Sequence, residues 1–200
     1  EMICDIGGGV TDIAVISLGR VVVRETVAVG GDQFDDAIIR YIRRKHNLLV
    51  GEITAEDLKI NIGSAIPRNE QFYMEITGRN LITGLPKIMR ITSDEITEAL
   101  DEPLQKLLEA IHGVLEHTPA ELVADIFESG LVLSGGGAQL EGLSEMLGEL
   151  NGSHTGARYY SASSTPATAS LGAFYDNGYT GDGLKVEEII AKGPLTKADS

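Results

Sequence analysis

Two segments of this 200-residue chain run an apolar strand straight into three glycines. The first is Ile3-Cys4-Asp5-Ile6-Gly7-Gly8-Gly9; the second is Leu131-Val132-Leu133-Ser134-Gly135-Gly136-Gly137. Glycines at a strand end let bare backbone approach a ligand and aim several N–H groups at it. A lone triplet is often only a tight turn, but two of one design point to a phosphate-bearing ligand. The second is expected to pass at once into a helix over 139–150, whose N-terminus would favour an anion. Asp5 and Asp12 bracket the first triplet, and an acid there can hold Mg²⁺ through water, because magnesium keeps much of its hydration shell. Thr11 and Asp12, opening the returning strand, could orient a water for attack on a γ-phosphate. They serve equally well as turn-forming polar residues of a hairpin, and residue type alone leaves those readings level. Glu56 and Lys59 lie one helical turn apart on one face; by themselves they read as a surface ion pair worth a few tenths of a kcal/mol at most.

Val- and Ile-rich strands over 3–6, 12–17 and 21–29 would form a meander around the first triplet. Gly30-Gly31-Asp32 ends it and offers a helix cap, after which Phe34, Ala37, Ile38, Tyr41 and Ile42 recur with a 3.6-residue period. A second helix is expected from a Thr54 cap to about Gly63. Short alternating stretches between 67 and 92 predict a small β-rich insert. Thr92 and Glu95 make a capping-box signature for a long helix through Ile96, Leu100, Leu104, Leu107 and Ile111, which Pro103 should kink or split. Thr118-Pro119-Ala120-Glu121 signals another helix start. A strand over 157–161, a helix over 165–174 and a polar, Gly-rich mobile tail from 176 complete the pattern. Strands and helices in this order predict an α/β sheet covered by helices.

Sixteen basic against thirty acidic residues give a net charge of −14, which argues against nucleic acid and anionic lipid as partners. The tight basic cluster Arg43-Arg44-Lys45 closes a predicted helix, where the macrodipole favours it. The lone Cys4 excludes an internal disulfide framework and, inside an apolar strand, reads as a buried structural thiol. His46, His112, His117 and His154 show no metal-ligand spacing. No apolar run approaches the ~20 residues of a membrane span, and no stretch reads as a signal peptide. Starting inside a strand at Glu1-Met2, the chain reads as part of a longer protein.

Asp5-Ile6-Gly7-Gly8-Gly9-Val10-Thr11-Asp12 resembles the second phosphate loop of the actin/Hsp70/hexokinase superfamily, and 131–140 resembles its adenosine loop. The stretches 30–38, 55–65, 78–81 and 93–96 are similar to the MreB family of bacterial actin-like proteins in particular. The resemblance covers about 2–174 and implies the ribonuclease-H-like, actin-type ATPase fold. Its layout would be a second-lobe core from 1–66 and 93–175, an inserted subdomain at 67–92, and a flexible tail at 176–200. It also implies ATP and Mg²⁺ as cofactors. Gly7, Gly8 and Gly9 would cradle the β- and γ-phosphates, Thr11 and Asp12 would stand beside the γ-phosphate, and Asp5 near the metal. Glu56 and Lys59 would flank ribose and adenine, and Gly135, Gly136, Gly137 and Ala138 would line the purine.

The same resemblance implies slow ATP hydrolysis and self-association into filaments that organise cell-wall synthesis and rod shape. The location would be cytoplasmic, peripheral to the inner membrane, beside membrane proteins of the cell-elongation machinery. One departure stands at Val10-Thr11-Asp12, where the family usually carries Thr-Thr-Glu; a hydroxyl is lost, implying slower or differently tuned hydrolysis. Two other classes share the superfamily loops: an Hsp70-like chaperone ATPase, which should respond to unfolded peptide, and a small-molecule kinase, which should consume ATP with sugars or glycerol. Against the chaperone, the insert is short and no β-rich peptide-binding domain follows Phe174.

Overall fold

A computed structural model describes residues 1–150 and the short strand Arg158–Tyr159. The expected helix at 165–174, the tail from 176 and the hydrophilic 152–156 lie outside the described residues.

Strands β1 (Met2–Ile6), β2 (Thr11–Ser17) and β3 (Arg20–Val27) form the antiparallel meander. β7 (Leu131–Ser134) joins the other side of β1 in parallel, and β8 (Arg158–Tyr159) adds to β7, giving the order β3-β2-β1-β7-β8. β1 is buried along its whole length, as a central strand covered on both faces must be. β3 lies at the edge and alternates between half-buried and exposed positions over most of its length. A second sheet, β4-β5-β6, consists of β4 (Leu48–Leu49) and the hairpin β5 (Tyr73–Asn80) and β6 (Pro86–Thr92).

Helix α1 (Gly31–His46) buries the five residues that the period selects. It packs against α2 (Glu52–Ile62) and α3 (Ser93–Glu116), and α3 lies on β2 and β3. Ile76 and Ile91 of the hairpin join one core with Phe34, Ile38, Leu58 and Leu100. The capping box opens α3 as expected: Glu95 N–H donates to Thr92 Oγ1 at 3.4 Å, and Thr92 N–H donates to Glu95 Oε2 at 3.0 Å.

Four local expectations are corrected. α3 runs from Ser93 to Glu116 with Pro103 inside it, so the proline does not split the helix. An interior proline costs ~3 kcal/mol, whereas α3 buries Leu100, Leu104, Leu107 and Ile111, each worth about 1.5–3 kcal/mol, so packing wins. α1 is entered from Gly30 and not capped by Asp32, which lies in the first turn. α2 is entered from Gly51, ahead of Thr54, and Ala55 N–H donates to Gly51 O at 3.1 Å to close its first turn. Thr118 does not cap α4 (Ala120–Ser129); its hydroxyl donates back to Val114 O at 2.7 Å and closes α3.

Candidate nucleotide cleft

The first glycine turn is tied to its neighbours through backbone. Gly7 N–H donates to Val10 O at 2.9 Å, closing the turn between β1 and β2. The first N–H groups of α1 then reach into the turn: Gly31 N–H donates to Gly7 O at 3.0 Å and Asp32 N–H to Gly8 O at 2.8 Å. This contact requires a glycine at position 30, where a Cβ would stand 2.5 Å from Gly8 O. Gly8 and Gly9 remain exposed, and among the described residues no hydrogen bond engages their N–H groups. That leaves two backbone donors available to a ligand.

The second turn is built differently. Gly135 has φ of +89°, and a Cβ there would lie 2.3 Å from Ile6 O, so the turn is pressed onto the end of β1. The expected helix does not follow at once. A three-residue 3-10 turn, Gly137–Gln139, comes first, and α5 (Leu143–Leu150) begins later. The reason is a distant pairing: Ala65 N–H donates to Glu141 O at 2.7 Å and Ser64 bridges Glu141, which holds the chain extended after Gln139. A helix-dipole anion site at this turn is therefore withdrawn.

Both turns open into one cleft of about 880 Å³, whose walls include Gly7, Gly8, Glu56, Lys59, Gly136 and Gly137. The remaining sequence-selected residues do not line the cleft. Asp5 is 2% exposed and stands in register with Asp12 on one side and Ser134 on the other. Thr11 is fully buried and its hydroxyl donates to Val29 O at 2.7 Å. Asp12 accepts from Thr26 Oγ1 at 2.5 Å and pairs with Arg24 at 3.4 Å. Gly9 is exposed beyond the cleft wall, while Gly135 and Ala138 are buried.

Glu56 and Lys59 do not pair with each other. Lys59 Nζ reaches across to Asp35 of α1 at 2.9 Å and donates to Gly31 O at 3.2 Å. Burial raises the Asp35 carboxyl above its ordinary range; the Lys59 hydrogen bond and charge pull against this, and Glu56 and Asp32 add to it. The cleft thus carries more acid than base, and its lysine is already engaged. Asp35 was missed as Lys59's partner, since the pair joins two helices and has no local spacing. Burial likewise holds the Cys4 thiol far above its usual range, with Asp5 adding to the effect, in keeping with a structural thiol.

Ser134 Oγ is buried beside Asp5 and has no hydrogen-bond partner among the described residues. A buried hydroxyl in that state suits a site completed by ordered water. No group of three or more His, Cys, Asp or Glu able to hold a metal occurs among the described residues. A magnesium carried by phosphates and water needs only one or two carboxylates, so the donor set fits that kind of ion.

Residues 1–173 match the family described as MreB/Mbl protein. The chain belongs to the MreB/Mbl family. The cell shape-determining protein Mbl of Bacillus cereus is 49% identical over 149 residues, covering 74% of this chain and 45% of that protein. MreB of Escherichia coli K12 is 50% identical over 152 residues, covering 76% of this chain and 44% of its own length. The chain therefore spans less than half the length of the curated relatives it matches. Among solved structures, MreB5 of Spiroplasma citri bound to ADP aligns with a TM-score of 0.76 at 38% identity, over 80% of this chain and 48% of that one. Its AMPPNP-bound form aligns at 0.74. A MamK double helical filament, at 21% identity and a TM-score of 0.64, shares the fold. The MreB/Mbl chain described here thus has the actin-type, ribonuclease-H-like α/β fold, and its relatives are cell shape-determining proteins. No helix among its described residues is long and apolar enough to cross a membrane.

Proposed function

We propose that the cleft binds ATP with Mg²⁺, and that in the full-length protein this binding drives assembly of copies into cytoskeletal filaments. One observation carries the reading: two glycine turns more than a hundred residues apart open into a single cleft. In this reading Gly8 and Gly9 offer backbone N–H groups to the β- and γ-phosphates, and Gly7 shapes the turn. Glu56 and Lys59 border the ribose, and Gly136 and Gly137 lie against the purine. Gly135 and Ala138 support that turn from beneath. Asp5 would hold Mg²⁺ through water, and bound magnesium would supply neutralisation of phosphate charge. That charge matters here, because the cleft is acidic and would otherwise repel a polyphosphate.

Thr11 and Asp12 are engaged with Val29, Thr26 and Arg24, so their part is to fix the returning strand beside the γ-phosphate and hold the attacking water's surroundings. Val10, 43% exposed, stands where the family usually carries a hydroxyl, and its loss favours slow hydrolysis. The ADP- and AMPPNP-bound MreB5 structures support nucleotide binding. Filaments that organise cell-wall synthesis at the inner membrane, alongside elongation-machinery membrane proteins, complete the reading. The MreB and Mbl relatives favour this reading over an Hsp70-like chaperone or a small-molecule kinase. Sedimentation of the full-length protein with Mg-ATP tests the proposal: polymer should pellet with ATP and not without nucleotide. Identical pelleting in both conditions contradicts it.

A further inference from the structure

Arg68 lies in the segment between α2 and the β5–β6 hairpin and is not part of the cleft wall. Its guanidinium nevertheless joins two residues that are. Arg68 Nη2 donates to Gly63 O at 2.7 Å and pairs with Glu141 Oε2, also at 2.7 Å. Gly63 ends α2 and Glu141 follows the second glycine turn; both line the cleft where the two segments meet. The arginine side chain is only 12% exposed, against 64% for the glutamate. Its guanidinium sits 5.0 Å from the centre of the Phe72 ring, and its Nε is buried without a partner. The side chain is therefore held by Gly63 O and the Phe72 ring as well as by Glu141.

We infer that Arg68 is a positioning residue that sets the width of the purine end of the cleft by holding Gly63 and Glu141 together. A flat base packed on both faces needs walls about 7 Å apart, two contact distances of about 3.5 Å each. Small errors in that spacing forfeit contact on one face. Backbone already ties the two segments through Ser64 and Glu141, but that bridge fixes only the strand edge. Through Nη2, Arg68 holds the carbonyl at the end of α2 by a hydrogen bond and the Glu141 side chain by an ion pair, and both residues line the cleft. Arginine suits this because its planar donors can serve two acceptors at once, which an ammonium does with less geometric control.

The inference rests on the nucleotide reading and is tested so that the two can fail separately. Affinity for Mg-ATP and for inorganic tripolyphosphate with Mg²⁺ is measured on the full-length protein and on Arg68→Ala, Arg68→Lys, Glu141→Ala and the double variant R68A/E141A. The expected result for Arg68→Ala is a roughly tenfold loss for ATP, with tripolyphosphate binding unchanged, since only the base end is loosened. Glu141→Ala should match it, and the double variant should be no worse than either single change. Arg68→Lys should fall between wild type and Arg68→Ala, and it serves as the test if the alanine variant does not fold. Equal losses for ATP and tripolyphosphate would reduce Arg68 to a structural residue, and unchanged ATP affinity would overturn the inference alone. If the wild-type protein binds no ATP, both readings fall.

Discussion

The two glycine triplets share one sequence design, yet their individual glycines are there for different reasons. At Gly135 the fold itself excludes a side chain: φ is +89° and a Cβ would stand 2.3 Å from Ile6 O. Gly137 is also confined, by the Ile6 side chain at 2.4 Å. At Gly8 and Gly136 the fold makes no such demand. A Cβ on Gly8 would meet the Asp32 carboxylate at an ordinary 3.6 Å, and one on Gly136 would meet nothing within 4 Å. Glycine where the protein alone would accept alanine points to space kept for something outside the protein. The difference separates packing glycines from ligand-facing ones, which strand-and-triplet patterning cannot do.

The comparison can be broken in three ways, and a fourth measurement sets a reference cost. Gly135→Ala should be the most damaging, losing about 3 kcal/mol of stability from backbone strain and overlap; urea unfolding that shows less than about 1 kcal/mol would remove the distinction. Gly8→Ala should leave the urea midpoint nearly unchanged while weakening Mg-ATP binding to the full-length protein by about tenfold or more. Equal effects on both readouts would mean the first turn is also a packing feature.

A reference cost from outside both turns comes from the start of α3. Burial pushes the Glu95 carboxyl upward, but hydrogen bonds from Thr92 and from His46 at 2.7 Å outweigh it and leave it below its ordinary range. A depressed folded-state pKa means stability is present above the unfolded value and lost as pH falls through the folded one. Acidification below the usual glutamate range should therefore loosen α3, and Glu95→Ala should cost about 1 kcal/mol and flatten that acid limb. An unchanged acid limb in pH-dependent unfolding would contradict the capping account. The smallest effect is expected at Gly136→Ala. Its backbone is right-handed helical, so alanine should be neutral or stabilise by about 0.4–1 kcal/mol while reducing ATP affinity severalfold; destabilisation would place Gly136 with the packing glycines.

Much of this arrangement is legible before any coordinates. The face of α1, the Thr92–Glu95 capping box, the strands flanking both triplets and the hairpin near 73–92 follow from periodicity and local turn chemistry. What escaped depends on contacts between distant segments. β4 is two residues long and exists through pairing with β5. Lys59 chooses Asp35 over Glu56 because α1 and α2 pack side by side. The helix expected after Gly137 gives way because Glu141 pairs with Ser64 and Ala65. Pro103 does not split α3 for the opposite reason: its local cost is real but smaller than the burial around it.

The most direct measurement is a crystal structure of the full-length protein with Mg-AMPPNP. The phosphates should lie within hydrogen-bond reach of the Gly8 and Gly9 N–H groups, with the purine against Gly136 and Gly137. Nucleotide seated elsewhere, or phosphates and base reversed between the two turns, would contradict the account.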